Sequence, residues 1–276
     1  MRRMLAQRAP LILGAAVTFG FILAALLAPW LAPSSPYAQD LYNGLAGPGP
    51  GHLLGQDRLG RDILSRIIFG ARISLTVGFV TVGISLVIGT LLGTAAGYLG
   101  GKVDEAVMRV CDVFLAFPGV LLAIAVMAAM GPSFINVVVA LSLMGWTGFA
   151  RLARGQTLSL REREFVFAAV ASGASPARVI VLHIIPNLAA PMIVEATFAV
   201  ASAVIGEAGL SFLGLGAQPP TPSWGAMLAE GRQFLLVAPN LAVWPGLAIM
   251  MMTLGINFLG DGLRDALDPK SKRRGE

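Results

Sequence analysis

Six apolar runs, at about 11–31, 73–97, 113–130, 134–150, 191–213 and 241–259, constrain this chain more than any other feature. Each is roughly 17 to 25 residues, the length that crosses a hydrocarbon core about 30 Å thick. Inside hydrocarbon every backbone N–H and C=O needs an internal partner, so runs of this length become helices. Only 13% of the residues are charged, about half the share of a soluble domain, and 56% are hydrophobic. The expectation is an all-α polytopic membrane protein with six transmembrane helices. The fourth run comes so soon after Gly131-Pro132 that 113–150 reads as a tight hairpin. The first run is about twice the apolar core of a cleaved signal peptide, so Met-Arg-Arg and the apolar residues beyond it read as an uncleaved signal anchor.

Orientation comes from the basic residues. With the N-terminus inside, the segments 1–10, 98–112, 151–190 and 260–276 are cytoplasmic and hold 15 of the 20 Lys and Arg residues. That bias puts both termini in the cytoplasm. It also accounts for the net charge of +5 without nucleic acid. The outer segment 32–72 runs against the bias, with Arg58, Arg61, Arg66 and Arg72. Asp57 and Arg61, and Asp62 and Arg66, are four apart, and Leu59, Ile63 and Ile67 form an apolar stripe. The reading is an amphipathic helix over 57–72 lying at the outer surface, against the alternative of a solvated charged turn. Residues 33–56 and 216–232 are Pro- and Gly-rich loops. Trp224 and Trp244 read as interfacial aromatics. Lys270, Lys272, Arg273 and Arg274 read as an orientation signal beside anionic lipid.

Residues for chemistry are scarce. His52 and His183 fall on opposite sides of the membrane, and one cysteine, Cys111, makes neither an internal disulfide nor a metal cluster. Gly101-Lys102 is followed by Val103 where a phosphate-binding loop wants Ser or Thr. No catalytic residue, cofactor site or metal site is assigned. Two carboxylates, Glu195 and Glu207, fall within a span. Ionisable groups there cost about 2.5–3.5 kcal/mol even on the lenient insertion scale and require a reason. Glu195, about one turn from the cytoplasmic end, reads as an interfacial charge. Glu207 either lines a polar pathway or hydrogen-bonds a neighbouring helix, and Gly206 and Gly209 beside it would let another backbone approach.

The segment 161–187 is the longest that is neither a clean span nor a flexible loop. Its pattern is helix, stop, helix. Leu160, Glu164, Phe167 and Ala171 share a helical face, with Phe165, Ala168, Ala169 and Ser172 on the adjacent one. Gly173 supplies a left-handed stop. Ser175 reads as an N-cap and Pro176 as the first helical residue. Two short helices therefore meet at a small-residue elbow.

This segment resembles the cytoplasmic EAA loop of type I ABC importer permeases. Ala168, Ala169, Gly173 and Pro186 match its pattern, and Ile185 stands for a Leu. Phe167 departs from the Glu and His183 from the Ile. The segments 54–75 (LGQDRLGRDILSRIIFGARISL), 210–225 (LSFLGLGAQPPTPSWG) and 244–269 (WPGLAIMMMTLGINFLGDGLRDALDP) resemble the C-type permease of dipeptide, oligopeptide and nickel importers. The resemblance implies a MetI-like core of a bacterial inner-membrane protein: an anchor helix and outer segment over 1–72, the permease core over 73–262, and a basic tail over 263–276. It implies a second, B-type permease, two cytoplasmic ATP-binding subunits that hold ATP and Mg, and an extracytoplasmic substrate-binding protein. It makes 161–187 the loop that docks on an ATPase subunit, with Phe165 and Phe167 as anchors. Arg161 and Arg163 face acidic groups of that partner or pair with Glu162 and Glu164. Peptides are the implied cargo, with nickel chelates, glutathione-like compounds and sugars as alternatives. A self-sufficient secondary transporter would want an internal repeat and several deep charges, which this sequence lacks.

Overall fold

With so few polar side chains to hold irregular backbone in lipid, helix dominates, and there is no strand among the described residues. The computed structural model describes residues 2–267, with side chains from residue 10 onward. The basic tail from residue 268, with the four Lys and Arg residues read as an orientation signal, lies outside the described residues. The helices are α1 (Arg2–Leu26), α2 (Ala28–Leu31), α3 (Ile63–Leu99), α4 (Gly101–Leu115), α5 (Gly119–Met130), α6 (Phe134–Leu160), α7 (Glu164–Ala171), α8 (Pro176–Val179), α9 (Ile185–Phe212), α10 (Trp224–Gly231) and α11 (Asn240–Leu267). A π turn (Ile180–Ile184) joins α8 to α9, so Pro176–Phe212 runs as one helix of 37 residues.

Four helices are long and apolar enough to span a bilayer: α3, α6, the α8–α9 rod and α11. The bent pair α4–α5 makes a fifth unit, and the apolar part of α1, Pro10–Leu26, makes the sixth. The expected run 113–130 is thus corrected. α4 and α5 meet at 86° because Pro118 lacks an N–H and stands as the N-cap of α5 with extended backbone. Most of the segment 98–112, expected to be cytoplasmic, is helix. Gly100 and Gly101, both with positive φ (66° and 53°), turn the chain out of α3 and into α4. The fourth and fifth spans also begin or end beyond their expected limits. α6 runs on to Leu160, and α9 starts at Ile185, so Glu195 lies about three turns inside its helix rather than one. There it is half-buried.

The centre of the molecule is α3 against α6. Gly89, Gly93 and Gly97 recur every four residues along one side of α3. A Cβ on Gly93 would overlap the Ala150 carbonyl of α6, one on Gly89 would meet Trp146 and Phe149, and one on Gly97 would lie 2.9 Å from the Arg154 oxygen. Glycine here sets the interhelical distance, as lipid-embedded packing requires. A second glycine-mediated contact joins α1 to α11, where Gly14 meets the backbone at Phe258 and Leu259. The C-terminus of α1 is tied to the core by Arg72, whose Nε and Nη2 donate to the carbonyls of Ala25 (2.5 Å) and Leu26 (3.0 Å).

The expected surface helix over 57–72 does not form. Helix starts only at Ile63, and the residues before it fold inward. Asp57 accepts backbone N–H bonds from Leu59 (2.9 Å) and Arg61 (3.0 Å), a local turn that competes with helix. Asp62 then caps α3 by accepting from the Ser65 N–H at 2.7 Å. Trp224 is also corrected. It is fully buried rather than interfacial, donating from Nε1 to the Ile67 carbonyl (3.0 Å) and meeting Phe21 edge-on.

Candidate functional sites: an elbow and an outer clamp

The elbow is built from local signals. α6 stops at Leu160, and residues 161–163 break the chain, so the expected helical face running on from Leu160 is interrupted. Arg161 turns back to donate to the Gly97 carbonyl (3.1 Å) at the end of α3. Arg163 occupies the N-cap of α7 without a side-chain cap bond. α7 ends as expected at Gly173, with φ +82°. The Ala174 N–H bonds the Ala169 carbonyl (3.1 Å) and the Gly173 N–H bonds the Val170 carbonyl (2.9 Å), which together make a Schellman stop. Ser175 caps α8, its Oγ accepting from the Arg178 N–H at 3.4 Å, and Pro176 takes the first turn. Nothing lies within 4 Å of a Cβ added at Gly173, so the glycine is required by φ alone.

The π turn between α8 and α9 was not legible in the sequence, although Pro186 was its signal. A proline ring clashes with the carbonyl four residues back and offers no N–H to it. The Ile185 N–H bonds the Ile180 carbonyl, widening the turn ahead of Pro186. Asn187 donates to the His183 carbonyl (2.7 Å). Val166 and Val179 are buried and hold the elbow to the core. Phe165 and Phe167 are 41% and 61% exposed. Between α7 and α8 lies an open pocket of about 700 Å³, walled by Phe165, Ala168, Gly173, Arg178 and His183. The elbow thus offers an apolar, small-residue surface with a cationic edge.

Behind the elbow, α4 is held to α6 by two ion pairs. Arg154 binds Asp104 through both Nε and Nη2, and Arg151 reaches Asp112 at 2.5 Å.

On the opposite side is a second constellation. Glu207 is 1% exposed. Its Oε2 accepts from Ser74 Oγ of α3 and its Oε1 from Ser211 Oγ one turn on, both at 2.7 Å. Nearby, Ser223 is the N-cap of α10, its Oγ accepting from the Ala226 N–H at 3.2 Å. The expected close backbone approach at Gly206 and Gly209 is not made. A Cβ at Gly206 would face only the Leu141 side chain, and nothing lies within 4 Å at Gly209. The close approach on α9 comes instead at Ala208, whose carbonyl meets Gly225 of α10.

At its other end α10 carries Glu230, which takes Arg61 Nη2 at 3.2 Å and has Arg58 and Arg66 within 3.6 Å. Asp57 Oδ2 bridges Arg61 (2.6 Å) and Arg66 (2.7 Å). Asp57, Arg61 and Arg66 are each at most 4% exposed. Of the two pairs expected at helical spacing, Asp57–Arg61 forms and Asp62–Arg66 does not. Asp62 instead binds Ser65 and His52 (3.0 Å). No local signal marked Glu230 as a partner, since it lies 169 residues from Arg61.

Comparison with known proteins agrees with this architecture. Residues 89–273 match the family described as binding-protein-dependent transport system inner membrane component. Residues 1–48 match the N-terminal TM domain of oligopeptide transport permease C. The chain is 48% identical over 261 residues to a dipeptide transport system permease protein of Alkalihalophilus pseudofirmus, covering 95% of this chain and 86% of that one. It is 49% identical over 252 residues to a glutathione transport system permease protein of Escherichia coli O6:K15:H31, covering 91% and 83%. The fold is similar to that of an inward-facing MetNI methionine ABC transporter chain, with a TM-score of 0.62 at 17% identity over 75% of this chain and 98% of that one. The expected C-type permease resemblance and MetI-like core are both borne out. This chain belongs to the family of binding-protein-dependent transport system inner membrane components.

Proposed function

We propose that this chain forms one membrane-spanning half of an ATP-driven importer for short peptides, glutathione-like peptides included. The similarity to dipeptide and glutathione permeases over nearly the whole chain carries the reading. A second permease would form the other half of the pathway. Two cytoplasmic subunits would bind ATP with Mg and hydrolyse it, and a binding protein would deliver peptide to the outer segments 32–72 and 214–240. Both termini would lie in the cytoplasm.

The elbow at 161–187 is the proposed ATPase contact. Its support is the exposed pair Phe165 and Phe167 on a doubly capped frame that buries Val166 and Val179 behind it. Work done by the ATPases would then act on the α8–α9 rod and rock the helices between inward-open and outward-open states. Differential contact of the partner with those two states supplies the drive.

The test is co-purification of the tagged chain from its native membrane in mild detergent, followed by mass spectrometry. The expected result is a second permease and two ATP-binding subunits in the same particle. A chain recovered alone that still transports in vesicles overturns the reading.

A further inference from the structure

Helix α4 presents three faces of different character. One packs on α6, with Cys111 fully buried against Trp146 and Ala150, and Phe114 meeting Trp146 edge-on. The second is apolar and exposed, through Val103 (40%), Val110 (47%) and Val113 (62%). The third carries Glu105, Arg109 and Asp112, all exposed and spaced to share a helical face. Two exposed faces of opposite polarity on one helix need two surroundings, one apolar and one aqueous.

The charged face does not stay outside the bilayer. Asp112 pairs with Arg151 at 2.5 Å, and Arg151 lies about 25 Å along α6 from Phe134 at 1.5 Å per residue. That is short of the far side of a hydrocarbon core about 30 Å thick. Charges at such a depth pair with one another or face a water-filled cavity. These do both, since the Arg151 and Asp112 side chains stay 49% and 57% exposed while paired. An aspartate stem is too short to carry its charge to the interface as a lysine would. The space beside Arg151 is open as well. Nothing lies within 4 Å of a Cβ added at Gly148 or Gly155, which share its face of α6. Fastening α4 to α6 is already done by Asp104 and Arg154, the less exposed pair. Arg109 takes part in no ion pair among the described residues.

We infer that Glu105, Arg109 and Asp112 of α4, with Arg151 of α6, wall the cytoplasmic mouth of the pathway and take the charged ends of a peptide as it leaves. This rests on the importer reading and its orientation. A short peptide carries an ammonium at one end and a carboxylate at the other. A mouth of mixed sign offers each end a counter-charge, whereas a wall of one sign would hold one end and repel the other. The contacts must also be weak enough to let cargo go. An exposed ion pair such as Asp112–Arg151 is worth little, so its members exchange partners with cargo at little cost.

The first half of the test reads which face meets water. The whole complex in lipid nanodiscs is given a membrane-impermeant maleimide, with Arg109→Cys compared against Val110→Cys, both exposed on the chain by itself. Arg109→Cys should label roughly tenfold faster, because thiol reactivity follows access to water. Equal rates, or faster labelling of Val110→Cys, overturn the assignment of faces. The second half reads passage. In proteoliposomes with the binding protein, L-alanyl-L-alanine and glutathione are the probes, and peptide delivered per ATP hydrolysed is measured. With Arg109→Gln and with Asp112→Asn that ratio should fall roughly fivefold or more as a charged contact is lost, while hydrolysis stimulated by loaded binding protein is retained.

An unchanged ratio in both variants overturns the inference and leaves α4 a solvated surface helix. Transport and hydrolysis that fall in parallel overturn it too, since that is the mark of a residue that only holds the fold. Where Asp112→Asn does not accumulate, Arg109→Gln decides alone, because Arg109 has no ion-pair partner to strand. A wild-type particle that lacks ATPase subunits or moves neither peptide brings down the importer reading itself, before any variant is compared.

Discussion

At Gly173 a single backbone angle decides whether the elbow exists. With φ at +82° and no neighbour within 4 Å of an added Cβ, side-chain size is not the constraint. An L-residue in the left-handed region costs about 1–2 kcal/mol, while Asn tolerates it better. Gly173→Val should weaken retention of the ATPase subunits in the purified particle, and Gly173→Asn should largely preserve it. Equal loss in both variants would point to volume instead of backbone. Asp57 presents the opposite case, in which side-chain charge is everything. It bridges Arg61 and Arg66, all three buried, so Asp57→Ala leaves two guanidinium groups facing each other with only Glu230 between them. Removing one partner of such a cluster costs about 3–5 kcal/mol. Arg58 is half-exposed and 3.6 Å from Glu230, so Arg58→Ala should fall within about 1 kcal/mol of the parent. Thermal unfolding in detergent separates the two, with a large drop in midpoint expected only for Asp57→Ala.

Between helices, the close approach of α3 to α6 rests on glycines that look alike in the sequence and differ in the fold. Gly83 has nothing within 4 Å, while Gly93 lies against the Ala150 carbonyl. Gly93→Ala should therefore force α3 from α6, at a cost of about 1–3 kcal/mol, and lower the yield of folded protein on fluorescence-detected size exclusion. Gly83→Ala should not. Which glycine matters could not be read from sequence, because the facing backbone is more than fifty residues away. The elbow was legible for the converse reason. Its stop at Gly173, its cap at Ser175 and its restart at Pro176 are all contacts within a few residues. The 57–72 segment failed on the same ground. Helical spacing of Asp57 with Arg61 and of Asp62 with Arg66 was real, yet Asp57 committed Oδ1 to a turn, and Arg66 paired with Asp57 Oδ2 and reached Glu230, far along the chain, instead of Asp62. Apolar length located the spans, but it could not show that Pro118 bends one of them or that α6 continues past Phe149 into the arginines that hold α4.

For the molecule as a whole, the two constellations sit at opposite ends of one long rod. Pro176 to Phe212 is 37 residues of continuous helix, about 55 Å at 1.5 Å per residue, more than a bilayer's hydrocarbon core. With the elbow at one end and Glu207 near the other, the two must face different compartments if the rod crosses the membrane. The proposed orientation, argued from the excess of Lys and Arg, puts the elbow in the cytoplasm. The chain supplies a quiet background for testing this, because its single cysteine, Cys111, is fully buried. Tyr42, in the segment before α3, is fully exposed, and Phe167 of the elbow is 61% exposed. In intact cells whose outer barrier has been removed, a membrane-impermeant maleimide should label Tyr42→Cys at once. It should reach Phe167→Cys only after the membrane is permeabilised, and even then more slowly when the ATPase subunits are present, because the elbow is then covered. Labelling of Phe167→Cys from outside would invert the topology and move the ATPase contact to the face that carries Glu230.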